Sequence, residues 1–172
     1  MLITEEYREL NRQAHKDVAK FGNGLKFIDA AKAYAESYNT KDILDYGCGK
    51  GGLQTAFDYP IHLYDPAVEE FSKTPEPAEL VFCIAVLEHI ERDCLDAVLQ
   101  DLKRVTKKDI IMLIDMHPNS WSLADGTSPH RIIENQDWWM TVLAPYFEVD
   151  IVIFFKHPQG KNGIIVEARA IH

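Results

Sequence analysis

The stretch Asp42-Ile43-Leu44-Asp45-Tyr46-Gly47-Cys48-Gly49-Lys50-Gly51-Gly52 decides how this chain is read. Its first half, DILDY at 42–46, is a short apolar run bounded by Asn39 and Thr40, the pattern of a buried strand. Its second half places four glycines within six residues. Such a segment lets the backbone turn sharply and bring its N–H groups close to a ligand, and a helix is expected to follow it. An ordinary strand-to-helix turn does not need so many glycines, because each adds to the entropy lost on folding. The stretch reads as a cofactor loop. Gly47, Gly49 and Gly52 also satisfy G-x-G-x-x-G, so a dinucleotide is one candidate.

Working outward, Ile3, Tyr7, Leu10, Ala14, Val18 and Phe21 recur at helical spacing, and Gly22 and Gly24 end that helix. A second helix is expected over 25–38. Downstream, IHLYD (61–65), ELVFCI (79–84) and IIMLID (110–115) read as strands, with a helix between the last two marked by Leu95, Val98, Leu99, Leu102 and Val105. The segment 117–136 loses periodicity and carries Pro118, Gly126 and Pro129, which makes it a candidate functional loop. A short helix at 138–143 follows. The last two strands, 149–155 and 164–171, are separated by PQGKNG, too short for a crossover helix, so they pair antiparallel. The expectation is a mostly parallel sheet with helices on both faces and a reversed hairpin at its end.

With 172 residues, 47% apolar and 26% charged, the chain is sized for one domain around one core. A helical segment (1–40) would precede the sheet-bearing core (41–172). Lys and Arg total 18 against 27 Asp and Glu, a net charge of −9 that repels polyanions, so nucleic acid is not expected as a partner. The cluster Lys103, Arg104, Lys107 and Lys108 lacks interleaved aromatics and reads as compensation of a helix macrodipole. Cys48, Cys83 and Cys94 form no CxxC pair and suit reduced thiols in the cytoplasm. No apolar run reaches the roughly 18 residues of a membrane span, and the start lacks a signal-peptide pattern.

Charge narrows the ligand. Asp45 lies two residues before the first glycine, where its carboxylate would oppose the pyrophosphate of a dinucleotide. The methionine part of S-adenosylmethionine carries an ammonium and a sulfonium, and its one carboxylate suits backbone N–H groups. Twenty residues beyond Asp45, Asp65 ends the next strand, where a carboxylate can accept both hydroxyls of a ribose.

DILDYGCGKGG, IHLYDPA and ELVFCIAVLEHI together resemble motifs I, II and IV of the class I S-adenosylmethionine-dependent methyltransferases, in order. LADGTSPH followed by DWWMTVLAPYF is similar to a group of small bacterial and phage methyltransferases. The resemblance implies an α/β, Rossmann-like sheet of seven strands, with S-adenosylmethionine across the carboxyl ends of the first strands and S-adenosylhomocysteine as product. By that resemblance Asp45, Gly47, Gly49 and Gly51 line the methionine part and Asp65 the ribose, with Cys48 also in the donor site. Pro66 and Ala67 form an edge of the adenine, and Ala85 and Val86 complete the donor site.

The sequence departs from the family twice. Only thirteen residues separate Asp65 from Glu79, too few for the usual helix, third strand and adenine-binding acidic loop. Six strands are therefore expected, the third being missing or very short, with adenine held by residues 71–74. Relatives with Glu-x-x-Glu-His can use those side chains as a divalent metal site, but here Ala85 replaces the first glutamate, so no metal is expected.

Transfer from a sulfonium requires the acceptor atom to be positioned in line and, where it carries a proton, deprotonated. His89 and His130 are the catalytic candidates; Asp115 and His117 lie on loops that converge on the same sheet end, Asp115 reading first as a turn or cap carboxylate. Of Trp138 and Trp139, one is expected in the core and the other at the surface or in the acceptor pocket under 117–139. The expected activity is methyl transfer to a small molecule or a saccharide or lipid precursor. A nicotinamide-dependent oxidoreductase and a non-catalytic S-adenosylmethionine-binding module are the alternatives. The sequence does not speak to oligomeric state.

Overall fold

The computed structural model describes residues 1–17, 25–156 and 161–172. Among these, six strands form one sheet in the order β2-β1-β3-β4-β6-β5: β1 (Ile43–Tyr46), β2 (His62–Tyr64), β3 (Ala78–Ile84), β4 (Thr106–Asp115), β5 (Phe147–Lys156) and β6 (Asn162–Ala170). β1 to β4 pair in parallel, while β6 runs antiparallel to both β4 and β5. No strand forms between β2 and β3, where the 66–78 segment is too short to add a helix and a strand. In its place stands a single 3-10 turn, Glu69–Phe71, so the three-residue β2 becomes one edge of the sheet.

Four α-helices among the described residues accompany the sheet: α1 (Glu5–His15), α2 (Ile28–Ser37), α3 (Leu95–Val105) and α4 (Gln136–Leu143). α3 buries Leu95, Val98, Leu99, Leu102 and Val105, the stripe its sequence marks, against Leu44, Val81, Cys83 and Ile110. α4 adds Trp139 and Leu143 to that face and starts at Asn135, whose side chain accepts the Trp138 N–H at 2.9 Å. α2 covers the opposite face with Ala31 and Ala35 against Ile43, Leu80, Phe82 and Ile111.

α1 is capped by Thr4, whose Oγ1 accepts the Tyr7 N–H at 3.2 Å. The part of its expected stripe at Val18 and Phe21, and the stop at Gly22 and Gly24, lie outside the described residues, as does Pro158–Gly160 of the last turn. The helix expected after the glycine loop is instead one 3-10 stretch, Gly52–Ala56. Only 52–61 is available before β2, and Gln54 closes the return by donating to Tyr59 O at 2.9 Å and accepting from Ile61 N–H at 3.0 Å. Arg104, Lys107 and Lys108 of the basic cluster pair with Asp101, Asp42 and Glu79. Among the described residues no helix is long and apolar enough to cross a membrane.

Candidate active site

The glycine loop leaves β1 along a path that side-chain-bearing residues resist. Gly47, Gly49 and Gly51 have φ of 80°, 52° and 70°, a left-handed region that costs other residues about 1–2 kcal/mol each. A Cβ on Gly47 would also lie 2.4 Å from Cγ2 of Val86. The N–H groups of Gly47 and Cys48 donate to Tyr64 O at 2.7 and 3.0 Å. Gly49 N–H donates to Oδ2 of Asp65 at 3.0 Å, and Ala67 N–H to Oδ1 at 2.8 Å. Asp65 therefore ties the loop after β1 to the loop after β2, and each of its oxygens keeps lone-pair capacity for a ligand hydroxyl.

These loops open on a cavity of about 850 Å³, within the size range of small-molecule sites. Its wall includes Asp45, Gly47, Cys48, Gly49, Asp65, Pro66 and Ala67, and across the switch from β1 to β3 also Ala85 and Val86. Gly51 is the exception among the expected donor residues. It serves the turn, with its missing side chain facing Leu63 and Phe71, and does not reach the cavity. Nor do residues 71–74; Pro66 and Ala67 line it instead.

Asp45 is buried, and its carboxylate accepts no hydrogen bond among the described residues. Burial, with the charge of Asp65 adding to it, pushes the Asp45 carboxyl up to about 7. A buried acid in that condition favours any ligand that brings positive charge or N–H donors.

α1 roofs the cavity with Tyr7, Asn11 and His15, three wall residues that the sequence analysis did not single out. His15 Nε2 lies 3.9 Å from Oδ2 of Asp65. The single proton of the Tyr7 hydroxyl is shared between the carbonyls of His89 (2.8 Å) and Pro129 (3.2 Å), and Thr4 donates twice to the Glu91 carboxylate. The signal was present: Tyr7, Asn11 and Ala14 fall on one helical stripe, and an asparagine on a buried stripe needs a reason.

Toward the carboxyl end of β4 the wall passes to Asp115, His117, Trp121 and His130. His130 Nδ1 is 2.6 Å from His117 O, and His89 Nδ1 is 2.8 Å from Pro129 O. A carbonyl only accepts, so each neutral ring carries its proton on Nδ1 and its lone pair on Nε2. The two rings meet edge to face at 4.7 Å. Burial, then the neighbouring His130, pushes His89 down to about 3; burial also lowers His130. His117 Nε2 lies 3.7 Å from Asp115 Oδ1.

Glu88 stands behind this pair, fully buried, with neither carboxyl oxygen hydrogen-bonded. Burial, then Asp115, holds its carboxyl well above the usual range. Its backbone oxygen accepts from the N–H groups of Arg131 and Ile132, which fixes the end of the aperiodic loop beside His89. Ligand atoms of Glu88, His89 and His130 lie within 4.8 Å of one another, a grouping that the long separation of His89 from His130 hides in the sequence. Neither Trp138 nor Trp139 lines the cavity. Trp139 is a core residue, and Trp138 packs outside under the Arg92 guanidinium, 5.5 Å from its ring centre. Of the three tryptophans, Trp121 is the one that lines the cavity.

A family model described as a methyltransferase domain matches residues 9–151. The chain belongs to that family. Its fold is also similar to a 1,6-didemethyltoxoflavin N1-methyltransferase of Burkholderia thailandensis, solved with that substrate and S-adenosylhomocysteine. The two share 14% identity and a TM-score of 0.67, over 100% of this chain and 92% of that one. The N-methyltransferase NodS of Bradyrhizobium japonicum, in complex with S-adenosylhomocysteine, is 9% identical with a TM-score of 0.63, over 98% and 100% of the two chains. A magnesium protoporphyrin IX methyltransferase of Synechocystis, with bound S-adenosylmethionine, is 12% identical with a TM-score of 0.57, over 84% and 78%. None of the curated proteins matches the sequence. The fold is thus that of class I S-adenosylmethionine-dependent methyltransferases, and the family match, rather than the fold, speaks against a nicotinamide-dependent oxidoreductase.

Proposed function

We propose that the protein transfers the methyl group of S-adenosylmethionine to a small-molecule acceptor, a saccharide or lipid precursor included, acting as a single domain. The observation that carries this reading is the pair Asp45 and Asp65 at the glycine loop. Asp45 is a buried carboxylate raised to about 7 with no hydrogen-bonded partner among the described residues, beside a turn in which Gly47, Gly49 and Gly51 all have positive φ. That arrangement repels a pyrophosphate and suits an ammonium and a sulfonium. The donor supplies an electrophilic methyl on its sulfonium. Gly47, Cys48 and Gly49 leave room for its methionine part, Asp65 receives the ribose hydroxyls, and Pro66 and Ala67 border the base.

The acceptor lies between the end of β4 and the loop carrying Trp121, within reach of His89 and His130. Burial holds both imidazoles neutral; His130 takes the proton through Nε2 from an acceptor that must lose one, while His89, pushed down to about 3, is too weak a base for that step and positions the acceptor by accepting a hydrogen bond. The reading needs no resident metal, because Ala85 stands where a second carboxylate ligand would. The buried free thiols Cys48, Cys83 and Cys94 support a reducing, cytoplasmic setting.

The test uses Trp121 as its reporter. Titration with S-adenosylhomocysteine should change tryptophan fluorescence, whereas NADH should compete with nothing. Transfer of labelled methyl to a panel of heterocycles, saccharides and lipid precursors then names the acceptor. Tight NADH binding with no response to S-adenosylhomocysteine would end this reading, and donor binding without transfer to any acceptor would leave only a binding module.

A further inference from the structure

β5 has the composition of an interior strand and the position of an outer one. It closes the strand order, paired with β6 on one side, and among the described residues no strand meets its other side. Edge strands are normally short, charged or interrupted by proline, since their unpaired N–H and C=O groups invite another chain. β5 is ten residues long, and its centre, Ile151-Val152-Ile153-Phe154-Phe155, contains no charge, glycine or proline. Uninterrupted apolar runs of this kind belong to strands covered on both faces.

Here the cover stops one strand short. On the α2 side, the hydroxyls of Tyr34 and Tyr38 reach Glu167 of β6, the residue paired with Ile151, at 2.9 and 3.3 Å. Beyond them Ile151 is 47% and Ile153 45% exposed. On the other face, α4 covers Phe147 and part of Val152, and Phe154 is left 52% exposed. The apolar surface therefore wraps the edge from one face to the other, as in a strand that has a neighbour.

The charges say which neighbour. Glu148 and Asp150 stand at the start of β5, where Arg169 of β6 pairs with both and leaves one negative charge in excess, and Lys156 stands at its end. A strand with that asymmetry is complementary to itself when reversed, the acidic start of each copy meeting the lysine of the other. Such a self-complementary patch is what a two-fold interface uses.

We propose that two copies of this chain pair antiparallel through β5, joining their six-stranded sheets into one continuous sheet. Ile151, Ile153 and Phe154 become covered, and the outward N–H and C=O groups of β5 find partners. Sedimentation velocity at physiological salt tests this over a wide concentration range. The parent should sediment at twice 19.7 kDa. Ile151→Lys with Ile153→Lys, and separately Phe154→Lys, should return it to a single copy, while Lys156→Glu should weaken association at least tenfold. Hydrogen exchange adds an independent reading: β5 amides should gain protection as the parent is concentrated and should not in the variants. None of the three apolar positions lines the cavity, so unchanged S-adenosylhomocysteine affinity certifies that each variant is folded. A parent that remains a single copy throughout, or a dimer that survives the double lysine variant, overturns the proposal without touching the donor reading.

Discussion

The substitution Asp45→Asn separates the cost of the donor site from its use. In the parent the carboxyl titrates at about 7 in the folded protein, against roughly 3.9 in an unfolded chain. Between those values the unfolded chain has lost a proton that the folded protein keeps, so raising the pH favours unfolding. At about 1.4 kcal/mol per unit, Asp45 alone removes on the order of 2 to 3 kcal/mol of stability from pH 5 to pH 8. An asparagine side chain has no such proton to lose, so urea denaturation should show the variant gaining that amount on the parent over the same interval. Subtracting the parent's curve cancels the other titrating groups. Donor affinity should move the opposite way, because a charge-assisted hydrogen bond of about 1.5 to 3 kcal/mol is lost, roughly a tenfold to hundredfold weakening by calorimetry. A variant more stable at pH 8 yet poorer at binding marks a charge kept for a ligand. Identical pH slopes in the two proteins, or S-adenosylmethionine bound equally well, would refute the assignment.

Asp65→Ala removes the acceptor of two ribose hydroxyls along with the ties to Gly49 and Ala67, and should weaken S-adenosylhomocysteine at least tenfold by calorimetry; unchanged affinity sinks the ribose assignment. Gly47→Ala should lower stability by about 1 to 3 kcal/mol in chemical denaturation, and Val86→Ala in the same chain should recover part of it, since the clash is with the Val86 side chain. Once an acceptor is known, EDTA should leave turnover intact; loss of activity restored by magnesium or manganese would make Glu88, His89 and His130 metal ligands. His130→Ala should lower kcat with the donor Kd unchanged, and an unaltered kcat would remove His130 from the chemistry.

The sheet was legible because its central strands are short apolar runs between breakers, and because the 66–78 segment is too short to hold a missing strand. β4 begins earlier than its apolar run because Thr106, Lys107, Lys108 and Asp109 extend the ladder with side chains that either face water or, like Thr106, donate back to α3. That Asp45, Gly47, Gly49 and Asp65 would come together was legible for a similar reason, since glycines and acids near strand ends carry their meaning locally, and all four line one cavity. Gly51 turns the chain and does not line the cavity, and spacing alone does not tell a glycine of one kind from the other. The acceptor half lay hidden because it is assembled by tertiary structure: Glu88 carries the loop end by two backbone bonds, Pro129 orients His89, and α1 arrives from the far end of the sequence.

The three-residue β2 gives the molecule one blunt side. Preceded by Pro60 and followed within two residues by Pro66, it offers too few backbone groups, and too exposed a His62, to seed another strand. Growth of the sheet is therefore possible from one side only. A molecule with two open margins can polymerise, whereas one with a single open margin that matches itself terminates after one addition. Where copies join through β5 as proposed, the short chain between Asp65 and Glu79, which leaves β2 as the opposite margin, confines that pairing to two copies.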